Sequence, residues 1–394
     1  MSTKAVIGGV GMIKFAKPGQ HEPYEIMASK AIAAALKDAG LELKDIQQAY
    51  ASYIYGDSAC GQKAIHELGF PGFPIFNVNN NCTSGSSAIF LARQAVESGQ
   101  VDCALAFGFE EMQKGALKSH WTDRTNPTKD VVNALEKSCP QLTTGPIALM
   151  LFGNAGFEYL DTYGASPELF AKVAVKTRNH AINNPLSLFT EALTVDEVMN
   201  SPVVYGEMLT RLMCCPPTCG AAAVIVMSKT FAKKHGINNL VEIAGQSMAT
   251  DTDTLWDNAR NVVGQDYGAR AAKSAYEQAG IGVEDVDLVE LHDCFTANEV
   301  IAYEALGLCG EGEATKFVDD KDNTYGGKFV VNPSGGLMSK GHPIGATGLA
   351  QCTELVWHLR GQAGARQVEG ARIGLQHNIG VPGGATVTVY KKDF

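Results

Sequence analysis

Nothing in the 394-residue chain is apolar for long enough to span a bilayer. The longest runs, such as Ala221–Met227, stop far short of the roughly 20 residues a membrane helix needs. Blocks of Lys or Arg are missing as well. With a net charge of −10, this excludes a general nucleic-acid binder and leaves no attraction to an acidic membrane surface. The N-terminus, Met1 to Val10, has neither the apolar length nor the small-residue cleavage site of a signal peptide. The closing Lys391-Lys-Asp-Phe394 is not a peroxisomal address, so a cytoplasmic location is expected. Ten cysteines are scattered without a repeating spacing, the pattern of free thiols and not of a disulfide framework. Their one cluster, Cys214, Cys215 and Cys219, has no nearby His or second Cys pair to complete a zinc site, and reads as buried filler. The Gly-rich run Gly380-Val-Pro-Gly-Gly384 carries no phosphate-cradling Walker pattern.

What is present is an α/β composition, 45% hydrophobic with 42 glycines and 19% charged residues, on a chain long enough for a large core. The chain also repeats itself. Residues 39–46, Ala-Gly-Leu-Glu-Leu-Lys-Asp-Ile, return 240 positions later as 279–286, Ala-Gly-Ile-Gly-Val-Glu-Asp-Val. Each copy follows an Ala-rich helix (Ala28–Asp38, Ala269–Gln278) closed by a Gly, and precedes a strand (Ala49–Ile54, Leu288–Leu291). Further on, Asn81-Cys-Thr-Ser-Gly-Ser-Ser-Ala opens a helix to about Ser98, with a strand at Cys103–Phe107. Gly341-His-Pro-Ile-Gly-Ala-Thr-Gly likewise opens one to about Arg360, with a strand at Arg372–Gln376. The plan is two halves, about 1–240 and 241–394, the first carrying an insertion over roughly 113–235 that is a candidate lid or binding subdomain. Pairing of the halves about a pseudo-twofold axis would bring the two helix starts face to face.

Three loops could then do chemistry. Cys82 lies at a helix start, where orphan amides and the helix dipole are expected to lower a thiol pKa. His342, held between Gly341 and Pro343, suits a general base or an oxyanion donor. His292 and Cys294, in His292-Asp-Cys-Phe295, emerge from a strand end, where α/β sheets line their ligand crevices. A metal held by these two Cys and two His is the competing reading, disfavoured by the absence of paired-ligand spacing.

These motifs resemble the thiolases, and within them the sterol-carrier-protein type, along essentially the whole chain. The resemblance rests on Asn77-Val-Asn-Asn-Asn-Cys82, Gly108-Phe-Glu-Glu-Met112, Asn183-Asn-Pro185, His292-Asp-Cys-Phe295, Asn323-Thr-Tyr-Gly-Gly327 and Asn332-Pro-Ser-Gly-Gly336. It continues through Ser339-Lys-Gly-His-Pro-Ile-Gly-Ala-Thr-Gly348 and Leu375-Gln-His-Asn-Ile-Gly380. It implies a five-layered αβαβα fold of two similar halves and an acyl-CoA C-acyltransferase that cleaves 3-oxoacyl-CoA or runs the reverse condensation. It also implies Cys82 as the acylated nucleophile, His342 as its base, His292 in the same oxyanion site, and Cys294 as the acid/base at the α-carbon. The Cys82 amide, with one from the glycines near Gly380 and Gly383, would hold the acyl-enzyme oxygen. Coenzyme A enters as substrate, no cofactor or metal is implied, and the family is usually dimeric.

Two segments depart from the family pattern. Val381-Pro-Gly-Gly384 is one residue longer than expected, and Pro216-Pro-Thr-Cys-Gly220 replaces a Thr-Ser-Asp-Gly. Because the chain stops where some relatives continue into a sterol-carrier domain, intrinsic lipid transfer is not expected. Two other readings stay open: an aldolase or acyltransferase working with a small partner subunit, and a non-catalytic acyl-CoA or lipid binder.

Overall fold

The computed structural model describes residues 4–115, 117, 119, 121–140 and 144–392; the expectations placed on the first three residues and on 393–394 lie outside them. Ten strands form one hydrogen-bonded sheet. In chain order they are β1 Ala5–Met12, β2 Gln48–Ser52, β3 Ile75–Val78, β4 Cys103–Glu110 and β5 Gly220–Ser228, then β6 Val241–Ala249, β7 Leu288–Glu290, β8 Val330–Val331, β9 Ile373–Gly380 and β10 Gly384–Lys392. Their order in space, β8-β7-β9-β10-β6-β1-β5-β4-β2-β3, reads the same outward from the β6/β1 junction in both directions. Orientation repeats too. β1 and β6 pair antiparallel with β5 and β10, which pair antiparallel with β4 and β9; the outer strands are then parallel in both halves.

The repeated sequence segments become the same local structure. Helix α1 (Tyr24–Ala39) ends at Gly40 and the later helix Gln265–Ala279 ends at Gly280, both glycines left-handed with φ near 65° (67° and 64°). Asp45 and Asp285 then each accept the backbone N–H three residues upstream, at 2.8 and 2.9 Å.

Side-chain alternation along the strands sorts the layers. On β5, Ala222, Val224 and Val226 join the core around α2 (Ser84–Glu97) and the helix Thr347–Arg360, while Ala221, Ala223, Ile225 and Met227 face α1. The helix Gln265–Ala279 covers the far face of β10 through Ala271, Ala272 and Ala275 against Val387 and Val389. The result is an outer helix layer, one half of the sheet, the central helix pair, the other half of the sheet and an outer helix layer. At the centre the two helix starts meet, so closely that a Cβ on Gly85 would lie 3.0 Å from the Gly348 amide and one on Gly348 2.4 Å from that of Ser86.

Three sequence expectations are corrected. The strand β5 falls inside the stretch expected to be an insertion to about residue 235. Its run of small apolar residues, buried on both faces between β1 and β4, belongs to the sheet, so the inserted segment ends near Cys219. The second central helix begins at Thr347, because Pro343 and the short turn Ile344–Ala346 hold the preceding residues outside it. The strand of the second half runs on from Gln376 to Gly380. Among the described residues, no helix is long and apolar enough to cross a membrane.

Candidate active site

Cys82 sits on the turn that leads from β3 into α2. Asn81 takes a left-handed φ of 50°, which Asn tolerates, and its carbonyl accepts from the amide and hydroxyl of Ser84 at 3.0 and 2.6 Å. The hairpin between β9 and β10 packs on this turn. Asn81 Nδ2 donates to the Pro382 carbonyl at 2.6 Å, and a Cβ on Gly380 or Gly383 would come within 2.4 or 2.8 Å of the Asn80 carbonyl oxygen. Gly380 and Gly383 thus lie against the backbone that carries Cys82. The turn at Val381-Pro382 is tied to the Cys82 turn by that bond from Asn81.

His342 enters from a loop whose Lys340 and Ser339 carbonyls accept from the Leu188 and Phe189 amides at 3.2 and 3.0 Å. His292 and Cys294 come from the end of β7, held by the Asn332 side chain on the Leu291 amide (2.9 Å) and by Asn298 on the His292 carbonyl. Cys82 Sγ and one ring nitrogen each of His292 and His342 lie within 4.8 Å of one another. The two imidazoles stand edge to face, centroids 5.1 Å apart.

Cys82, Cys294 and His342 open onto a single cavity of about 410 Å³, whereas His292 is buried behind its wall. Away from the sulfurs, His342 and Arg211, the cavity is apolar, with Leu149, Phe152, Val204 and Phe295 among its walls, and Phe152 stacks on Phe295 at 4.9 Å. Most of those walls come from the inserted segment. Cys214 and Cys215, read from sequence as filler, also line it. Cys215 donates its amide to the Cys294 carbonyl at 2.9 Å, next to an isolated antiparallel bridge between Cys214 and Phe295, so the two cysteines face each other across a short stretch of paired backbone. The one local signal for them in the sequence is the Pro-rich turn Cys215-Pro-Pro217 within the inserted segment.

Electrostatics correct one expectation outright. Burial, together with the nearby Glu110 carboxylate, pushes the Cys82 thiol up to about 12, against the lowering expected of a helix start. Glu110, itself raised to about 7 by burial, accepts from the Tyr55 and Gly345 amides at 2.9 Å each, so it braces both the floor of this site and the turn after His342. Burial holds the His342 imidazole down to about 3. The resting pair is therefore a neutral thiol beside a neutral imidazole. Alkylation of Cys82 by iodoacetamide, followed on its own peptide, should rise about tenfold per pH unit from pH 7 to 10 without levelling off. A plateau below pH 8 would reveal a preformed thiolate and contradict this arrangement.

The comparisons agree with the geometry. Residues 6–230 match the Thiolase, N-terminal domain, and residues 247–392 the Thiolase C-terminal domain-like family. Sterol carrier protein 2 of Rattus norvegicus is 49% identical over 99% of this chain and 72% of its own length. The benzoylsuccinyl-CoA thiolase subunit BbsB of Thauera aromatica is 36% identical over 96% of this chain and 95% of its own. Among solved structures, an Ltp2-ChsH2(DUF35) aldolase superposes with a TM-score of 0.83 at 24% identity, covering 99% of this chain and 98% of that one, a likeness of fold. With both family domains matched in order around the site just described, the chain belongs to the thiolase family.

Proposed function

We propose that this acyltransferase cleaves 3-oxoacyl-CoA with coenzyme A, or runs the reverse condensation, through an acyl group carried on Cys82. The observation that carries the reading is the convergence of Cys82, Cys294 and His342 on one largely apolar cavity, with His292 directly behind. In the cleavage direction the Cys82 proton passes to His342, and the sulfur attacks the 3-oxo carbon. The bond between C2 and C3 breaks, leaving the acyl group on Cys82, and Cys294 protonates the departing carbanion to give acetyl-CoA. A second coenzyme A then gives its thiol proton to the Cys294 thiolate and attacks the acyl carbon; acyl-CoA leaves as the bond to Cys82 breaks, and His342 returns its proton to the Cys82 sulfur. His292 and His342 hold the thioester oxygen on which charge builds, while the Cys82 amide and one from Gly380 or Gly383 hold the acyl-enzyme oxygen.

Burial keeps the Cys294 thiol far above its usual range, so it rests protonated, the form that cleavage needs. No metal or cofactor takes part in this scheme. The apolar walls suit a hydrocarbon acyl chain. A coenzyme A-dependent cleavage assay across 3-oxoacyl-CoA chain lengths tests the reading. Stoichiometric acetyl-CoA and shortened acyl-CoA are expected. Carbon–carbon cleavage that does not consume coenzyme A would point to an aldolase working with a partner subunit, and no turnover to an acyl-CoA binder.

The active form in this proposal is a homodimer joined at β3. That strand is an edge of the sheet with Phe76 exposed and Phe70 85% exposed beside it, and the chain continues from it into the Cys82 turn. A monomeric mass by light scattering at micromolar concentration would overturn this. A cytoplasmic location fits ten cysteines that are all free thiols, and exclusion from the cytosol on cell fractionation would contradict it.

A further inference from the structure

A buried chain of hydrogen bonds runs from the central helices to the ring of His292. It starts at a group whose role is unambiguous, the Gly348 carbonyl oxygen, an acceptor only. Gln376 Nε2 donates to it at 2.6 Å, and Gln376 Oε1 accepts from the Tyr390 hydroxyl at 2.7 Å, which fixes the amide's orientation. The same Nε2 donates its other hydrogen to Ser86 Oγ at 2.9 Å. Ser86 Oγ in turn donates its own hydrogen to Asn378 Oδ1 at 2.8 Å. Asn378 is thereby oriented with its NH₂ towards His292 Nδ1, 2.9 Å away. Gln376, Ser86, Asn378, His292 and Tyr390 are all at least 97% buried, so water does not compete for these bonds.

An amide NH₂ can only donate. His292 Nδ1 is therefore the acceptor, and in the neutral ring the proton stands on Nε2. The partners of His342 assign the opposite arrangement. Thr347 Oγ1 donates to the Pro343 carbonyl at 3.0 Å, leaving its lone pairs for the His342 Nδ1–H at 2.6 Å, so His342 Nε2 keeps a lone pair. One imidazole is set as a hydrogen-bond donor and the other as a base.

We propose that Asn378 is a positioning residue of this enzyme, holding His292 in the Nε2–H form so that the ring meets the site as a donor to an anionic oxygen and to nothing else. The proposal rests on the reading of His292 as an oxyanion donor, and it accounts for the thiol-and-imidazole set without a cation. With Nε2 protonated, the ring has no lone pair to offer a metal beside Cys82 and His342. The chain also crosses the molecule, from α2, one turn beyond Cys82, to β9 of the second half, so nucleophile and donor are registered through one buried connection.

Asn378→Asp is the test, since it keeps the shape and exchanges the donor for an acceptor. Nitrogen-15 spectra of histidine-labelled protein, with the His292 signals assigned by their loss in His292→Asn, should show Nε2 protonated and Nδ1 bare in the wild type. In N378D at pH 8 the proton should move to Nδ1, with kcat for 3-oxoacyl-CoA cleavage down by roughly 10²–10³-fold, the loss of one oxyanion donor. The loss should shrink as pH falls, because adding one proton to the Asp–His pair restores an Nε2–H, whereas the wild type shows no such recovery. Ser86→Ala, which frees the amide to turn, should cost about tenfold and show both tautomers. A bare Nε2 in the wild type, an unmoved proton in N378D, or a loss that is the same at every pH would each overturn the proposal. If the wild type shows the expected tautomer yet turns nothing over, it is the reading of the reaction that fails.

Discussion

Cys82→Ala should leave a folded protein with no measurable acyl transfer, a loss of roughly 10⁴–10⁶-fold in kcat. No other group on the cavity wall can replace it. Cys214, Cys215 and Cys294 are the other thiols on that wall, and burial raises all three above the usual range. Cys82 Sγ, by contrast, lies within 4.8 Å of a ring nitrogen of His342 and of one of His292. The fold should hardly notice the change. The side chain lines the cavity and makes no side-chain hydrogen bond among the described contacts, and the turn is held by backbone and by Asn81, Thr83 and Ser84. Stability should alter by about 1 kcal/mol or less, read as the thermal midpoint. Retained turnover in Cys82→Ala would remove the nucleophile assignment.

Cys294→Ala separates the two half-reactions. Acylation of Cys82 by a simple acyl-CoA needs the Cys82–His342 pair and should proceed within a few-fold of the wild-type rate. Cleavage of 3-oxoacyl-CoA, and exchange of the α-protons of bound acetyl-CoA for deuterium, need a second acid/base and should fall by about 10³–10⁴-fold. Cys215, opposed to Cys294 across the paired backbone, is placed to substitute in part, so Cys215→Ala combined with Cys294→Ala should deepen the loss. A thiol buried for packing alone predicts near-normal exchange and only a lower thermal midpoint. Exchange at the wild-type rate in Cys294→Ala would return the role to another group.

How much of this was legible depends on where the information resides. The repeat 240 residues apart was visible because helix, Gly stop and Asp are local chemistry, and local chemistry recurs with the sequence. The Cys82, His292, Cys294 and His342 loops were found by motif, and the pseudo-twofold plan placed them together. The thiol pKa was misjudged because a helix start is visible in sequence and burial is not. Glu110 adds to the rise that burial causes, and it lies on β4, which is laid beside β2 only in the fold. Cys215 was read as filler because its partner, Cys294, is far away along the chain. Period-2 alternation along β9 held one more clue. Gln376 and Asn378 fall on the face towards the central helices, while His377 falls on the other, where Leu375 and Ile379 join the outer core. His377 is consequently absent from the cavity wall. The end of the inserted segment was misplaced because the apolar run at 220–228 can be assigned to the sheet only when its neighbours β1 and β4 are known.

The account depends most directly on a covalent acyl group at Cys82. Incubation with an acyl-CoA, acid quenching and peptide mass analysis should find the acyl mass on the peptide carrying Cys82, and on no other cysteine. Adding free coenzyme A before the quench should discharge that label as acyl-CoA within the turnover time. An acyl group found only at Cys215, Cys294 or another thiol, or a label on Cys82 that coenzyme A cannot discharge, would contradict it.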